Sequence, residues 1–300
     1  RNAPGDDQGG GRAMTVRAVP DLPIHCLSFD VEEHFQVSAF DSVARRHRWD
    51  DFESRVEPNT DKILQLLSDT NQHATFFILG WIAERHPRLV LRILDAGHEV
   101  ASHGYGHELV TTLTRDQFRA DVRRARAILE SIIGQRVYGY RAPSFTIVKD
   151  TSWAHEILVE EGYAYDSSVF PIVHDVYGMR GANPDPHQID TPAGPIWELP
   201  PATTVFARVR IPVGGGGYFR LCPYSVFRRL LKGVEVSGRQ LMLYFHPWEL
   251  DPGQPRMRGS RLSQFRHYVN LDKVEPRLER LMTDFRFGSV RHVVPHAAAS

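Results

Sequence analysis

The sequence predicts an α/β fold with a parallel sheet, either open or closed into a barrel. Three observations carry that expectation. Strand-like and helix-like patterns alternate from residue 24 to about residue 165, as βαβ units require. The strand-like segments are short apolar runs, the pattern of strands covered on both faces. Several of these runs stop abruptly at ionisable side chains, and in parallel α/β folds the C-terminal strand ends share one face.

Taken in order, residues 24–29 read as the first strand, which runs into Asp30, Val31, Glu32, Glu33 and His34. The mixed aromatic stretch 35–54 reads as a loop or short helix. Residues 58–70 carry Ile63, Leu66 and Leu67 at helical spacing, with Asn59 or Thr60 as the expected cap. A buried strand at 74–79 ends at Gly80. A helix over 82–96 presents Leu89, Val90, Ile93 and Leu94 and stops at Gly97. The strand 98–101 leads to His103 and His107. A long amphipathic helix over 113–133 opens with a capping box, Thr114 with Gln117. A strand at 137–140 precedes Arg141, and a helix follows at 151–161.

After Asp166 the pattern changes, with frequent Pro and Gly. Short strands are expected at 196–200 and 204–211. Gly214 to Gly217 reads as a loop that bends sharply or approaches other backbone closely. A helix at 223–233 and a strand at 240–245 follow, the latter ending in His246, Pro247 and Trp248. A Pro/Gly loop at 251–259, a last helix at 269–284 and a short strand or tail at 290–294 complete the reading. No repeat and no clean linker interrupts the chain. Residues 21–295 are therefore expected to form one domain behind a disordered leader at 1–20.

Lys+Arg and Asp+Glu both number 36, so no polycationic footprint points to nucleic acid. No run of 18 apolar residues predicts a membrane span. Cys26 and Cys222 are too few for a disulfide framework. The first twelve residues lack an apolar signal core, so a cytoplasmic location is expected, with action at the inner membrane face as one setting.

Three strand ends thus bear Asp30 with Glu32, His103 with His107, and His246, and Arg141 follows a fourth. An acid with two histidines is a ligand set for a catalytic divalent metal that keeps one position open for water. Residues i and i+2 of a strand point the same way, so Asp30 and Glu32 can both face such a site.

These motifs, in this order, resemble the NodB-homology polysaccharide deacetylases, a carbohydrate esterase family. Ser28-Phe29-Asp30-Val31-Glu32 resembles the family's Thr-Phe-Asp-Asp-Gly. Ser102-His103-Gly104-Tyr105-Gly106-His107 matches the histidine spacing of its second motif. Arg141-Ala142-Pro143 matches Arg-x-Pro, and Leu243-Tyr244-Phe245-His246 matches Leu-x-x-His. The resemblance covers about residues 24 to 250. Tyr165-Asp166-Ser167-Ser168, Trp197-Glu198-Leu199-Pro200, Gly216-Gly217-Tyr218-Phe219-Arg220 and His246-Pro247-Trp248-Glu249 look like one branch, the deacetylases of exosortase (PEP-CTERM) exopolysaccharide loci.

The resemblance implies an irregular (β/α)7-type barrel with extra loops and short strands. It implies removal of N-acetyl groups from an N-acetylated sugar polymer, or its precursor, in exopolysaccharide biosynthesis. A divalent metal, with Zn²⁺ the expected ion, would be held by Glu32, His103 and His107. Asp30 would act as general base, oriented by Arg141, and His246 would protonate the leaving amine. A backbone N–H near Ala142 would help hold the oxyanion, and Pro143, Tyr218 and Trp248 would contact substrate. The acid that tunes His246 would be Asp166 or Glu198. One departure matters: Val31 stands where the family has its metal-binding aspartate, which moves that role to Glu32, with Glu33 and His34 as alternatives. A hydrolase of cyclic amides or imides and a non-catalytic carbohydrate-binding protein are the competing readings. The glycan and the oligomeric state stay open.

Overall fold

The computed structural model describes residues 23–41, 43–173 and 177–293. The expected leader at 1–20 lies outside them. The strands are β1 (Ile24–Val31), β2 (Thr75–Ile78), β3 (Glu99–Ser102), β4 (Gly139–Tyr140), β5 (Tyr165–Asp166), β6 (His187–Thr191), β7 (Gly194–Glu198), β8 (Thr203–Phe206), β9 (Val209–Pro212), β10 (Met242–Phe245) and β11 (Arg286–Gly288). The helices are α1 (Val56–Asp69), α2 (Gly80–Arg85), α3 (Pro87–Asp95), α4 (Arg115–Ile133), α5 (Ala154–Glu160), α6 (Gly216–Leu221), α7 (Tyr224–Val236), α8 (Arg261–Tyr268), α9 (Val274–Asp284) and α10 (Val290–Val293).

Parallel pairing runs β10–β1–β2–β3–β4–β5–β7, and β6 adds antiparallel to β7. Irregular backbone bridges the remaining span from β7 to β10. The Ala202 N–H donates to the Met242 carbonyl at 2.9 Å, and the Tyr244 N–H donates to the Gly214 carbonyl at 2.7 Å. The result is an irregular (β/α)7-type barrel. The four-glycine run makes this seam possible. Gly215 has φ 134° and bridges Tyr244, and a Cβ there would lie 2.0 Å from the Tyr244 oxygen.

The strands divide the interior into two layers. Leu27, Phe29 and Val31 of β1 pack outward into the main core beneath the helices. Cys26 faces the barrel lumen with Phe77, Ala101, Tyr165, Leu199 and Met242. Ser28 and Asp30 follow Cys26 at the strand period of two and so point the same way. Helix α4 covers the outside with Phe118, Val122, Ala125 and Leu129. Each large apolar side chain buried this way contributes about 1.5–3 kcal/mol. Its capping box is formed by Thr114 and Gln117.

Several elements differ from expectation. The helix read over 82–96 breaks into α2 and α3 at Pro87, which has no N–H to donate and restricts His86 before it. The helix read over 269–284 starts later, as α9 at Val274, because Asn270 takes φ 52° and Leu271–Lys273 form a tighter 3-10 turn. The strand read over 204–211 is a hairpin, β8 and β9, that turns on Ala207 (φ 47°) and Arg208 (φ 66°). Residues Val290–Val293 are helical rather than extended. Strands β6 and β11 carried no clear pattern. Helix α1 starts at Val56 and is not capped by Asn59 or Thr60. Instead the buried Glu33 carboxylate accepts hydrogen bonds from the backbone N–H groups of Arg55 (3.0 Å) and Val56 (3.2 Å). Among the described residues, no helix is long and apolar enough to cross a membrane.

Candidate active site

Immediately above the lumen layer lies a fully buried arginine. Arg141 follows β4 and its N–H extends the ladder to the Ser102 carbonyl at 2.9 Å. Its Nη1 donates to Asp30 Oδ1 at 2.7 Å and to Ser28 Oγ at 2.8 Å. Nη2 donates to Ser167 Oγ at 2.9 Å and Nε to the Ser167 carbonyl at 3.2 Å. The guanidinium carbon sits 4.1 Å from the centre of the Phe77 ring. A buried charge is tolerable only when paired and hydrogen-bonded throughout, and this one is. The geometry fixes Asp30 by one oxygen and leaves Oδ2 turned toward the cavity side, 3.9 Å from His246 Nε2.

One step further out, β1 and β3 deliver Glu32, His103 and His107. Glu32 Oε2 lies 2.7 Å from His107 Nε2 and 3.8 Å from His103 Nε2. His103 Nδ1 is bonded to the Arg141 carbonyl at 2.8 Å. A carbonyl only accepts, so Nδ1 carries the proton and Nε2 presents its lone pair. Burial pushes His103 down to about 4, so it is neutral near pH 7. Burial by itself would raise Glu32, but His107, His246 and His103 around it hold its carboxyl far below the usual range. Glu32 Oε1 accepts from Trp248 Nε1 at 3.1 Å. Oε2 is buried and accepts no well-formed hydrogen bond, its near contact being His107 Nε2 at 2.7 Å. A buried, ionised oxygen without a donor, facing two imidazole nitrogens, fits a divalent cation held by all three residues. The alternatives are placed elsewhere: Glu33 caps α1, and His34 is buried without lining the cavity.

His246 follows β10 on the opposite side of the carboxylates. Its Nδ1 is 2.8 Å from Glu249 Oε1, and its Nε2 is 3.8 Å from Glu32 Oε1. Burial opposes protonation, but the Glu249 bond and the charges of Glu32 and Asp30 outweigh it and push His246 up to about 9. Arg220 stands 3.3 Å behind Glu249 Oε2. The expectation that Asp166 or Glu198 tunes His246 is corrected here, since both lie against His155 instead. Glu249 was legible in principle, at i+3 from His246 across a proline-started turn.

These groups line a cavity of about 210 Å³ whose wall includes Phe145, Tyr177 and Tyr244. Phe145 and Tyr244 belong to one aromatic cluster, with ring centroids 4.7 Å apart. Ser144 and Phe145 have φ 52° and 54°, a left-handed pair at the rim held against Ser38 by a 2.9 Å hydroxyl contact. Sequence reasoning did not select these aromatics. Of the expected substrate contacts, Pro143 and Tyr218 do not line the cavity. Trp248 lines it, but its indole is stacked on His246 (5.0 Å) and His267 (4.1 Å) and is only 6% exposed. Its visible work is to hold Glu32. The Ala142 N–H expected at an oxyanion is committed to Ser168 Oγ at 2.7 Å.

Fold and site together combine an α/β barrel with a carboxylate–bis-histidine set beside an arginine-held aspartate. Residues 44–163 match the profile of the polysaccharide deacetylase family, and residues 167–295 match a domain of unknown function (DUF3473). His103, His107 and Arg141 fall in the first segment and His246 in the second, while Asp30 and Glu32 precede both. The peptidoglycan-N-acetylglucosamine deacetylase of Bacillus cereus is 35% identical over 98 residues, 32% of this chain and 36% of that protein. The chain spans 28 to 38% of the length of the first curated relatives it matches. Among solved folds, a Mycobacterium smegmatis protein described as a polysaccharide deacetylase superposes with TM-score 0.62 at 21% identity, covering 94% of this chain and 93% of that one. The allantoinase PuuE superposes with TM-score 0.59 at 16% identity, covering 100% and 99%. These likenesses support the deacetylase fold and a relationship to the polysaccharide deacetylases.

Proposed function

We propose that the chain is a metal-dependent hydrolase that removes N-acetyl groups from an N-acetylated sugar polymer, or from its precursor in exopolysaccharide biosynthesis. The observation that carries this reading is the buried, unpartnered Glu32 Oε2 between His103 Nε2 and His107 Nε2, with Asp30 and His246 on its far side. The matched family profile and the named activity of the Bacillus cereus relative support the substrate class.

Glu32, His103 and His107 would hold the ion, with Zn²⁺ the expected choice for one carboxylate and two imidazoles. When bound, such an ion lowers the pKa of a water and polarises an acyl oxygen. Asp30, fixed by Arg141, which Ser28 Oγ also holds, presents Oδ2 to accept the proton of the attacking water. His246 keeps Nδ1 against Glu249, so its proton on Nε2 faces Asp30 and the cavity, ready for a leaving sugar amine. Phe145, Tyr177 and Tyr244 supply an apolar wall of the kind that packs on a sugar ring.

Acetate release from N-acetylglucosamine oligomers by the metal-loaded chain tests the reading. Asp30→Asn is expected to lower turnover by about 10²–10⁴-fold. Undiminished turnover in that variant would remove Asp30 as the base. Ring opening of a small cyclic amide without acetate release would replace the substrate class. Glycan binding without either reaction would reduce the chain to a binding protein.

A further inference from the structure

Among the described residues, a second group of buried metal-competent side chains lies apart from the candidate active site: His155, Asp166 and Glu198. They come from three elements. His155 is on α5, Asp166 closes β5 and Glu198 closes β7, and the two acids are register partners. His155 is 3% exposed and both acids are 0% exposed.

The contacts converge on one point. His155 Nε2 lies 3.2 Å from Asp166 Oδ2 and 3.6 Å from Glu198 Oε2. Two ligands at about 2.1 Å from a tetrahedral ion stand about 3.4 Å apart. The other oxygens are engaged elsewhere: Asp166 Oδ1 accepts from Ser168 Oγ, and Glu198 Oε1 accepts from the Val169 N–H at 3.0 Å. Each residue therefore turns one atom inward. Glu198 Oε2 has no hydrogen-bond partner at all. Two carboxylates around one imidazole, away from water, leave negative charge that must be compensated. A proton on Oε2 shared with Asp166 would compensate one charge, whereas a cation would engage all three inward atoms at once.

We propose that His155, Asp166 and Glu198 form a second divalent-metal site, one that braces the fold rather than touching substrate. One imidazole and two carboxylates suit a first-row ion of the Zn²⁺ or Mn²⁺ kind. The ion would anchor the Asp166-Ser167-Ser168 segment. Ser167 Oγ and its carbonyl hold Arg141, and Ser168 Oγ holds the Ala142 N–H. This site therefore sets the bed on which the Arg141–Asp30 pair rests.

The test uses the full chain, stripped with a chelator and titrated with Zn²⁺ alone. Calorimetry and elemental analysis are expected to give two equivalents for the wild type. A Glu32→Gln/His107→Ala chain, with the candidate active site disabled, is expected to keep one equivalent and to gain several degrees in Tm on Zn²⁺ addition. Adding His155→Leu, or the near-isosteric Glu198→Gln should the first variant fail to fold, is expected to abolish both readouts. If the Glu32→Gln/His107→Ala chain takes up no stoichiometric Zn²⁺, the trio carries a shared proton and the proposal is overturned. It is equally overturned if the equivalent and the Tm gain survive in a folded Glu198→Gln chain. Neither outcome touches the deacetylase reading, which fails on absent acetate release.

Discussion

Glu249 Oε1 stands 2.8 Å from His246 Nδ1, so a buried carboxylate holds the outer nitrogen of the one histidine that faces the site from β10. His246 is pushed up to about 9 because, against the cost of burial, Glu249 and the carboxylates of Glu32 and Asp30 favour its charged form. Its proton is therefore present at neutral pH and lost as pH rises through about 9. Glu249→Gln removes the bonded anion and lowers that pKa. The alkaline limb of the kcat profile is expected to move to lower pH, with turnover at pH 8 down by about tenfold or more. Acetate release measured from pH 6 to 10 checks this, and an unshifted limb would discard the role given to Glu249.

Trp248 touches the candidate metal set through its Nε1 bond to Glu32 Oε1 at 3.1 Å. Trp248→Phe keeps most of the stacking on His246 and His267 but loses that donor. Zn²⁺ affinity at the Glu32 site is expected to fall about 10–100-fold, the usual cost of losing a group that orients a ligand. Glu32→Gln is expected to cost more, because it removes the anionic ligand itself. Competitive titration with a chromophoric chelator separates the two.

Arg141 is the largest fully buried side chain described, and it is committed to Asp30, Ser28 and Ser167. Arg141→Met leaves the buried Asp30 carboxylate without its hydrogen-bonded counter-charge, with only His246 at 3.9 Å. The expected loss is about 3–5 kcal/mol in urea unfolding. Adding Asp30→Asn to that variant is expected to recover part of the loss, because the orphaned charge goes with it. Additive losses in the double variant would mean the pair is not coupled.

His98 offers a test of acid stability far from the chemistry. It is 6% exposed, beside Phe76 and His73, and burial first, then His73, pushes it down to about 4. The unfolded chain takes up this proton near 6.5 while the folded chain resists until about 4. Stability is therefore expected to fall as pH drops from about 6.5 to about 4 and then to level off as far as this group is concerned. His98→Phe is expected to flatten that part of the Tm–pH curve. An unchanged slope would assign the acid sensitivity to other groups.

What was legible in the sequence was local or periodic. β1, β2 and β10 read clearly because strands covered on both faces are continuous apolar runs. Helix α4 read clearly because Thr114 and Gln117 cap it from within. The convergence of Asp30, His103, Arg141 and His246 followed from parallel strand ends sharing a face. The illegible parts depend on partners distant in sequence. Helix α1 is capped by Glu33 from 22 residues away, which no local cap signal could show. Arg220, which precedes α7 in the chain, backs Glu249 from α6. Asp166 and Glu198 were expected behind His246, but the histidine they meet, His155, sits in α5 and reads as an ordinary helix residue. The turn of β8 and β9 was missed because Ala207 and Arg208, not glycine or asparagine, hold the positive φ values.

Val31 points outward from β1 into the helix-covered core with 0% exposure, while Asp30 and Glu32 point to the barrel mouth. An aspartate at position 31 in this strand register would put a charge among apolar side chains rather than beside His103 and His107. An aspartate at position 31 alone would therefore not place a second carboxylate beside His103 and His107. An adjacent-aspartate arrangement would need position 32 and the backbone where β1 ends to change together.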